Sequence, residues 1–391
     1  MDKFYNKLVK KSLSNNNTKD FKTFLKNCNG CFVVDCVKIL KNENNFQNKK
    51  QKILQEIKGK PQFDKSQIYK HINYKPTPHM LDSDWRFTYR TQNYIINKIS
   101  KYIPDMSKCL LVGTPSLLHN RETLTNKFNI TFLEKNITSI DFKNKIVMNL
   151  LDYVSNIKFE AIVCDPPWYK NAYLNFIYKF STMISKNGLL FLIFPPKGVR
   201  QSIDEERFDI INFAKSIGFE LIEEDIETIN YYSSPFEINS ILDNGITNFP
   251  IDWRYGNLFI FKLKEYTNIP FQYIPIPENN KWNEYIINNI RFKVLDGQLN
   301  AGKPVLEKIY RKDILPSVSM RNKKIKEIGL WTSGNRVYKC NNSKLLCSIL
   351  DYRTKNSFKI CCAKFKDNVE LVNLIEDIIN KEYEEYGQYW N

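Results

Sequence analysis

The stretch FEAIVCDPPWYK, residues 159–170, joins an apolar run to a rigid acidic turn. The run from Ala161 to Cys164 stops at Asp165, and two prolines and Trp168 follow directly. Proline fixes its own φ angle and disfavours helical backbone in the residue before it. The stretch therefore predicts a buried strand whose final acid is held in a fixed place, with a large aromatic side chain beside it.

Similar apolar runs recur on both sides of this stretch and alternate with helical patterns. Such alternation predicts a doubly wound α/β sheet. Ligands of these sheets bind outside the carboxyl ends of the strands, so Asp165, at the end of the fourth strand, is expected at the ligand edge. The seven predicted strands cover residues 109–114, 130–134, 145–152, 159–165, 189–195, 219–230 and 257–263.

Three helices are predicted beside these strands. The patterns place one helix over residues 92–103 and another over 204–217. Between them, apolar residues from Leu174 to Ile184 recur at helical spacing and share one face. Gly188 is expected to end that middle helix as a C-cap, because glycine adopts the left-handed conformation readily.

Changes in composition divide the chain into three predicted segments. Residues 1–75 are rich in Lys and Asn, carry helical patterns and end at a proline-rich stretch, which marks a boundary. Residues 76–264 hold the predicted sheet. Residues 265–391 form a predicted accessory domain of α+β structure, with a hairpin region over 329–363 and a final helix. The two outer segments are candidates for recruiting a protein partner.

The charge of the chain favours an anionic partner. Its 391 residues carry a formal charge of +16 at pH 7, and such a balance is typical of proteins that bind DNA or RNA. The excess is mostly Lys, which AT-rich coding also favours together with Asn, so the charge gives modest support. Residues 320–340 interleave basic and aromatic residues, as nucleic-acid contacts do, although a solvated face is the alternative.

The hydropathy pattern and the cysteines bear on the cellular compartment of the protein and on metal binding. The chain shows no apolar run of about 18 residues and no apolar leader segment, so neither a membrane span nor secretion is predicted. Nine cysteines without a secretory signal indicate a reduced, cytoplasmic protein. Cys28 and Cys31 form a lone CxxC pair near Cys36, and His71 is the first later histidine. Because a zinc site needs four ligands at suitable spacing, no metal is predicted, and the cysteines are interpreted as apolar residues.

The Asp-Pro-Pro-Trp turn offers two fixed hydrogen-bond acceptors, the carboxylate of Asp165 and the carbonyl of Pro166, while Pro167 keeps the turn rigid. An exocyclic amino group on a base is a poor nucleophile, because its lone pair is delocalised into the ring. Acceptors that are already in place for its hydrogens assist its reaction, and Trp168 provides a face on which a flipped base stacks. The turn therefore predicts chemistry on an amine nitrogen.

The tetrapeptide also resembles the [D/N/S]-P-P-[Y/F/W] signature of amino methyltransferases that act on adenine N6, cytosine N4 and some amide or lysine nitrogens. The Trp form is typical of mRNA-adenosine enzymes, in which this motif precedes the cofactor half. Here the cofactor-type strand CLLVGT (109–114) precedes it, and DSDWRFTYRT (82–91) lies upstream. This order is similar to a family of N6-adenine methyltransferases, some of which are described as protein lysine methyltransferases. The resemblance covers roughly residues 80–200, and more loosely to 264.

The resemblance implies a Rossmann-like, seven-stranded class I methyltransferase sheet and S-adenosylmethionine (SAM) as the cofactor. The loop after the first strand is poor in glycine, although glycines there normally let the backbone approach the cofactor. An acid that ends the second strand can bind both ribose hydroxyls, and an acid after the third strand can accept the adenine amino group. The implied SAM-binding residues are Phe87, Thr88, Gly113, Thr114, Pro115, Glu134 and Asp152.

Two loops at the predicted ligand edge carry candidates for substrate binding. In FPPKGVR (194–200), Lys197 and Arg200 could meet a phosphate, and a solvated loop is the alternative reading. The long connection after the sixth strand could shape the substrate pocket, with Phe236 and Arg254 as its aromatic and charged candidates.

The sequence thus predicts a SAM-dependent methyltransferase that acts on an exocyclic amino group, with adenine N6 in nucleic acid favoured. A protein lysine or another amine is the first alternative, because acceptors around an amine serve that chemistry too. A non-catalytic nucleic-acid-binding subunit is the second alternative. The glycine-poor loop at 113–116 supports it, and the intact DPPW turn opposes it.

Overall fold

A computed structural model describes most of the chain, which forms two compact units. The described residues are 2–61, 64, 76–136, 139–275, 282–297, 306–318 and 322–390. The first unit comprises Met1–Cys31, Arg86–Tyr232 and Pro250–Pro277, and the second comprises Phe32–Trp85, Ser233–Phe249 and Glu278–Asn391. Each unit is therefore built from three separate segments, whereas the predicted segments 1–75, 76–264 and 265–391 are contiguous.

Helices form both units. Helices α1 to α12 span Asp2–Ser14, Phe21–Asn27, Val33–Asn42, Gln47–Glu56, Tyr89–Tyr102, Arg121–Lys127, Lys170–Ser181, Ile203–Ser216, Pro235–Asp243, Ser343–Lys355, Phe358–Lys364 and Val369–Glu385. The predicted helices over 92–103 and 204–217 correspond to α5 and α8. Acidic residues fill the first turn of α8 and Lys215 lies in its last turn, an arrangement that the helix dipole favours.

Strands of the described residues form one sheet in each unit. Strands β1 to β13 span Arg86–Phe87, Lys108–Val112, Asn129–Glu134, Lys145–Val147, Phe159–Cys164, Ile184–Phe194, Phe219–Tyr232, Arg254–Leu263, Trp282–Ile287, Ile290–Leu295, Leu306–Lys308, Leu330–Thr332 and Val337–Cys340. Strands β2 to β8 are the seven that the sequence predicts, and the two-residue β1 adds an eighth at one edge of the same sheet.

The sheet of the first unit has the order β1-β7-β8-β6-β5-β2-β3-β4. Strands β2 to β6 run parallel, whereas β8 pairs antiparallel with both β6 and β7. The chain crosses the sheet between β4 and β5, so the loops after β2 and β5 leave from neighbouring strands at its centre. Such a switch in strand order is where ligands of open α/β sheets bind. The predicted Rossmann-like α/β sheet, with its seven predicted strands, is therefore confirmed.

Apolar burial holds the centre of this sheet. Strand β6 is buried from Leu189 to Phe194, as expected for a central strand covered on both faces. The ring of Phe194 stacks on that of Phe259 in β8, with a centroid distance of 4.3 Å. Each such side chain contributes roughly 1.5–3 kcal/mol by leaving water. The edge that carries the turn after β5 therefore rests on a well-packed core.

The prediction that Gly188 ends a helix as a C-cap was wrong. Helix α7 ends at Ser181, and Gly188 lies inside β6. The pairing of β5 with β6 is irregular here, because Phe159 faces Ile184 and Ala161 already faces Leu189. A Cβ on Gly188 would come within 3.1 Å of the Glu160 carbonyl and closer still to Ile184. Glycine is thus required by a bulge, not by a helix end.

The third predicted strand is shorter than the predicted range 145–152. Strand β4 stops at Val147, and the chain then turns. The side chain of Asn149 accepts the amide of Leu151 at 3.1 Å, and its carbonyl accepts the amide of Asp152 at 3.1 Å. Local hydrogen bonding by Asn competes with strand formation, so Asp152 lies in a turn.

The second unit contains an antiparallel five-stranded sheet in the order β11-β13-β12-β10-β9, together with α3, α4 and α9 to α12. The predicted α+β character of the C-terminal region is confirmed. The predicted hairpin over 329–363 is correct only for β12 and β13, because α10 and α11 follow them. Asn342 accepts the amide of Leu345 at 3.0 Å and so starts α10.

A charged cluster lies inside the second unit. Arg336 pairs with Asp313, Glu382 and Glu385, and all but Glu385 are buried. The Glu382 carboxylate also accepts the amide of Gly334 at 2.8 Å. Burial raises the pKa of Glu382 to about 7, although Arg336 opposes the shift. The buried guanidinium of Arg336 is tolerated because these acidic side chains surround it.

No helix of the described residues is long and apolar enough to cross a membrane.

Candidate active site

The loops after β2 and β5 lie against each other at the carboxyl edge of the sheet. Val112 and Cys164, the last residues of the two strands, are partners in the parallel ladder. Gly113 follows with a left-handed φ of +62°, and a Cβ built there would be 3.5 Å from the carbonyl oxygen of Asp165. The two predicted half-sites, one for the cofactor and one for the amine, are therefore neighbours within the first unit.

The carboxyl group of Asp165 divides its two oxygens between different surroundings. Oδ2 accepts a hydrogen bond from the hydroxyl of Tyr231 at 3.0 Å. Oδ1 is buried and accepts no hydrogen bond of ordinary geometry from the described residues. Burial raises the pKa of Asp165 to about 7, while Tyr231 and Trp168 favour the ionised form and oppose that shift. The buried Oδ1 can therefore accept a hydrogen bond from a donor group of a ligand.

The two prolines lie in the short connection between β5 and α7. Pro166 is buried and Pro167 is exposed, and the Pro167 carbonyl accepts the amide of Tyr169 at 2.7 Å. Tyr169 has extended backbone and precedes the first residue of α7. Since each proline restricts φ, the backbone that carries Asp165 has little freedom.

Trp168 lies beside this carboxyl group and is partly exposed. Its ring meets that of Tyr231 edge to face, with a centroid distance of 6.2 Å. Gly256 of β8 also lies beside the indole, where a Cβ would be in ordinary contact at 3.7 Å, and it would approach the Phe194 carbonyl more tightly at 3.1 Å. The partly exposed ring of Trp168 can contact a planar ligand.

The edge strand β1 brings Phe87 to the same place. Phe87 pairs with Tyr231 across the β1–β7 ladder, and their ring centroids are 5.3 Å apart. Its amide donates to the hydroxyl of Ser116 at 3.1 Å, which ties β1 to the turn after β2. The hydroxyl of Thr88 accepts the amide of Thr91 at 3.2 Å and caps α5. Thr88 therefore has a structural role at the start of that helix.

Three further predicted cofactor residues follow β2 and β3. The hydroxyl of Thr114 is buried without a hydrogen-bond partner among the described residues, and Pro115 begins the helical turn Pro115–Asn120. Glu134 ends β3, and Gly113 bonds through its amide to the neighbouring Leu133 carbonyl at 3.2 Å. The structure therefore brings Gly113, Thr114 and Glu134 to one edge.

Asp152 lies farther along that edge, in the turn after β4, and is exposed. The ammonium group of Lys179 in α7 donates to the Leu151 carbonyl at 3.0 Å. Partial burial lowers the pKa of Lys179, and the charge of Asp152 opposes that shift. The prediction that Asp152 binds an adenine amino group stays a prediction.

The loop after β6 carries two predicted substrate-binding residues, which differ in exposure and in ion pairing. Lys197 is exposed. Arg200 pairs with Glu206 at the start of α8, and its side chain is only 16% exposed. Arg207 anchors the loop by donating to the Pro195 carbonyl at 2.7 Å. Lys197 is therefore the more available cation for a phosphate, whereas Arg200 already has an anionic partner.

The other two predicted substrate residues are buried. Arg254 begins β8 opposite Tyr231, and its guanidinium lies 4.8 Å from the ring centroid of Trp253. Phe236 belongs to the second unit, has no exposed surface, and meets Trp85 edge to face at 5.2 Å. The packing explains Phe236 as a core residue of that unit.

The cysteines that form the CxxC pair are buried. Cys28, Cys31 and Cys36 form no disulfide within the described ranges, and His71 lies outside the described residues. Within the described ranges, no group of three or more His, Cys, Asp or Glu side chains could hold a metal ion.

Tyr231 is the site residue that the sequence reasoning missed. The predicted sixth strand ends at residue 230, two positions before β7 ends at Tyr232. The alternating burial of β7 continues to its end, with Ile229 and Tyr231 buried and Asn230 partly exposed. Alternation of this kind predicts a half-buried strand, so the pattern INYY was the signal that could have found Tyr231.

No protein-family model matches the chain, and no curated protein matches it in sequence. Among solved structures, a branched-chain polyamine synthase from Thermus thermophilus, in complex with N4-aminopropylspermidine and 5'-methylthioadenosine, is 11% identical with a TM-score of 0.49. The match covers 70% of this chain and 90% of that chain.

Two further solved structures show weaker likeness. The N-methyltransferase NodS from Bradyrhizobium japonicum is 10% identical with a TM-score of 0.28, over 45% of this chain and 98% of that one. TrmN from Thermus thermophilus is 10% identical with a TM-score of 0.27, over 44% of this chain and 47% of that one. Likeness at this level adds no argument about cofactor or substrate.

Proposed function

We propose that this protein is a SAM-dependent N-methyltransferase that acts on an exocyclic amino group, with adenine N6 in nucleic acid as its substrate. The observation that carries the proposal is the buried Oδ1 of Asp165 at the carboxyl edge of the sheet, which accepts no hydrogen bond of ordinary geometry from the described residues. An amino group of a substrate can therefore donate to this oxygen. The Pro166 carbonyl is proposed as the second acceptor, and Pro167 as the residue that keeps both in place.

The residues beside Asp165 fit SAM as the cofactor. Gly113 adopts a left-handed φ and has no Cβ to oppose a ligand, and the buried hydroxyl of Thr114 has no hydrogen-bond partner among the described residues. Gly113, Thr114 and Pro115 would hold the amino-acid end of SAM, and Glu134 its ribose hydroxyls. Bound SAM would supply an electrophilic methyl group on its sulfonium sulfur.

Asp165 would orient the amine for transfer. Its ionised carboxylate accepts an N–H hydrogen at Oδ1, which aligns the nitrogen lone pair with the methyl carbon. A methyl group supplied by bound SAM would leave the substrate nitrogen cationic, and that nitrogen would then release one proton. Because the pKa of Asp165 is about 7, its carboxylate is basic enough to take that proton near neutral pH.

Trp168 and the surface charge support a base in nucleic acid as the substrate. A partly exposed indole beside the amine acceptor offers a stacking face for a flipped base. The exposed Lys197 on the loop after β6 is available for a phosphate, and the chain as a whole carries a formal charge of +16 at pH 7. Phosphate contacts dominate the affinity of proteins for nucleic acids.

The proposal can be tested by labelling. Purified protein is incubated with tritiated SAM and a host lysate, and aliquots are then digested with nuclease or protease. Label that nuclease releases supports the nucleic-acid substrate, and label that only protease releases supports a lysine substrate instead. Calorimetric titration with SAM covers the remaining alternative, because absence of binding at millimolar SAM would indicate a non-catalytic subunit.

A further inference from the structure

Tyr231 donates a hydrogen bond to Oδ2 of Asp165, whereas Oδ1 accepts none of ordinary geometry from the part of the chain that the structure describes. We propose that Tyr231 is a positioning residue, which occupies Oδ2 so that Oδ1 faces the substrate amine. The inference rests on the proposed function, in which Asp165 binds that amine. It adds a residue from a strand 66 positions farther along the chain, outside the turn that carries the motif.

The ring of Tyr231 is fixed before any substrate arrives. It is buried, with Phe87 on one side at 5.3 Å and Trp168 on another at 6.2 Å between ring centroids. Its backbone is paired with Phe87 of β1 and with Arg254 of β8. Packing against these two rings holds the Tyr231 ring where its hydroxyl donates to Oδ2 of Asp165.

The hydrogen bond from Tyr231 makes the two carboxyl oxygens of Asp165, which are otherwise chemically equivalent, different from each other. A carboxyl group turns about its Cβ–Cγ bond through a broad, roughly two-fold torsion, so its orientation depends on its partners. A donor on Oδ2 fixes the plane of the group and also favours the ionised form. Tyr231 therefore affects both the orientation of the Asp165 carboxyl group and the pH at which that group is ionised and can accept the hydrogen bond of an amine.

Other groups that face Asp165 do not replace this donor. The hydroxyl of Tyr173 in α7 donates to the Ile193 carbonyl at 2.7 Å. Burial raises the pKa of the Cys164 thiol well above its usual value, so that group stays neutral. Trp168 also favours the ionised form of the Asp165 carboxyl group, but less than Tyr231 does. Arg254 is the partner of Tyr231 in the β7–β8 ladder. Loss of the Tyr231 hydroxyl would thus raise the pKa of Asp165 further.

The test compares two Tyr→Phe variants that each lose one buried hydroxyl. In Tyr231→Phe, the acidic limb of the pH profile of kcat/KM is expected to move to higher pH by about one unit, with about a fivefold loss at pH 7 and about a tenfold loss well below it. In the control Tyr173→Phe, the lost bond goes to a backbone carbonyl, and the limb is expected to stay in place. SAM affinity should be the same in both variants.

A second measurement does not depend on activity. The carboxyl carbon of Asp165 can be followed by 13C NMR titration without SAM, with its signal assigned by its loss in Asp165→Asn. The titration midpoint should rise in Tyr231→Phe and stay constant in Tyr173→Phe. If Tyr231→Phe fails to fold, fluorinated tyrosine at position 231, a stronger donor, should lower the midpoint instead.

The outcomes separate the inference from the proposed function. If neither the acidic limb of the kcat/KM profile nor the NMR titration midpoint of Asp165 moves in Tyr231→Phe, the positioning role is overturned, even if the enzyme is active. Absence of methyl transfer by the wild type would overturn the proposed function, and the NMR titration would still decide whether Tyr231 controls the carboxyl group.

Discussion

Gly113 and Asp165 face each other across the ends of two neighbouring strands, with 3.5 Å between the position of a Gly113 Cβ and the Asp165 carbonyl oxygen. This relationship places the loop of the proposed cofactor site directly beside the proposed amine acceptor. Transfer between two bound groups requires such proximity, because reacting atoms must approach to about 3–3.5 Å.

Replacement of Asp165 should remove the chemistry and spare the cofactor. Asp165→Ala is expected to lower kcat by about 10²–10³ or more, as loss of a preset catalytic hydrogen-bonding group does, while SAM affinity stays within a few-fold. Methyl transfer and calorimetry measure the two quantities. The matched control is Asp209→Ala, an acid on α8 that pairs with Lys170 at 2.6 Å and is about half exposed. Turnover of Asp165→Ala equal to that of the wild type would refute the site.

Gly113→Ala should weaken SAM binding as well as folding. A non-glycine residue at a φ of +62° is strained by about 1–2 kcal/mol, and the added methyl group lies where the cofactor is proposed to pass. We expect SAM affinity to fall about tenfold, the equivalent of about 1.4 kcal/mol. Gly245→Ala is the control, because its φ is +72° and a Cβ there has nothing within 4 Å. Equal SAM affinity in both variants would contradict the assigned cofactor loop.

Trp168 should matter for the substrate rather than for SAM. Trp168→Ala is expected to raise KM for an adenine-containing oligonucleotide by about 10–100-fold, since base stacking on an aromatic ring contributes about 1–3 kcal/mol. Trp168→Phe keeps an aromatic face and should retain most of the affinity. Steady-state kinetics on one oligonucleotide would measure both variants. If the Ala and Phe variants lose affinity equally, stacking is not the role of this side chain.

Glu382 should make stability depend on pH. Burial raises its folded pKa to about 7, above the ordinary value of 4.5, so the folded protein keeps a proton that the unfolded chain releases. Its contribution to stability is therefore complete below about pH 4.5 and is lost as the pH rises through about 7. Glu382→Gln cannot ionise, and its free energy of unfolding should fall less than that of the wild type between about pH 5 and 8.

Urea unfolding of both proteins at the two ends of this range measures the difference. Asp351→Asn removes an exposed acid that pairs with Lys355 on the same helix, and its pH dependence should follow that of the wild type. If Glu382→Gln has the same pH dependence as the wild type, Glu382 does not hold its proton in the folded state.

Much of the first unit was predictable because each strand carries its own signal. The apolar run from Ala161 to Cys164 must be buried, and an acid that follows it is expected at the edge. The same logic placed Glu134 correctly at the end of β3. Asp152 was less predictable, since hydrogen bonds of Asn149 end the strand early.

Features that depend on distant partners were not predictable. Gly188 looked like a helix end, and only the irregular pairing with β5 shows that it serves a bulge. Arg200 looked like a free cation, but Glu206 at the start of α8 pairs with it. The division into two units also escaped the sequence, because each unit takes segments from three parts of the chain.

The sequence by itself determined an acid on a rigid turn at the end of a central strand, because apolar periodicity and proline geometry act within a few residues. Only the tertiary structure decided what that acid contacts. Tyr231 reaches Asp165 from a strand 66 positions farther along the chain, and its ring meets that of Trp168 edge to face. Contacts of this kind arise from strand order and packing, for which no local stretch of sequence carries a signal.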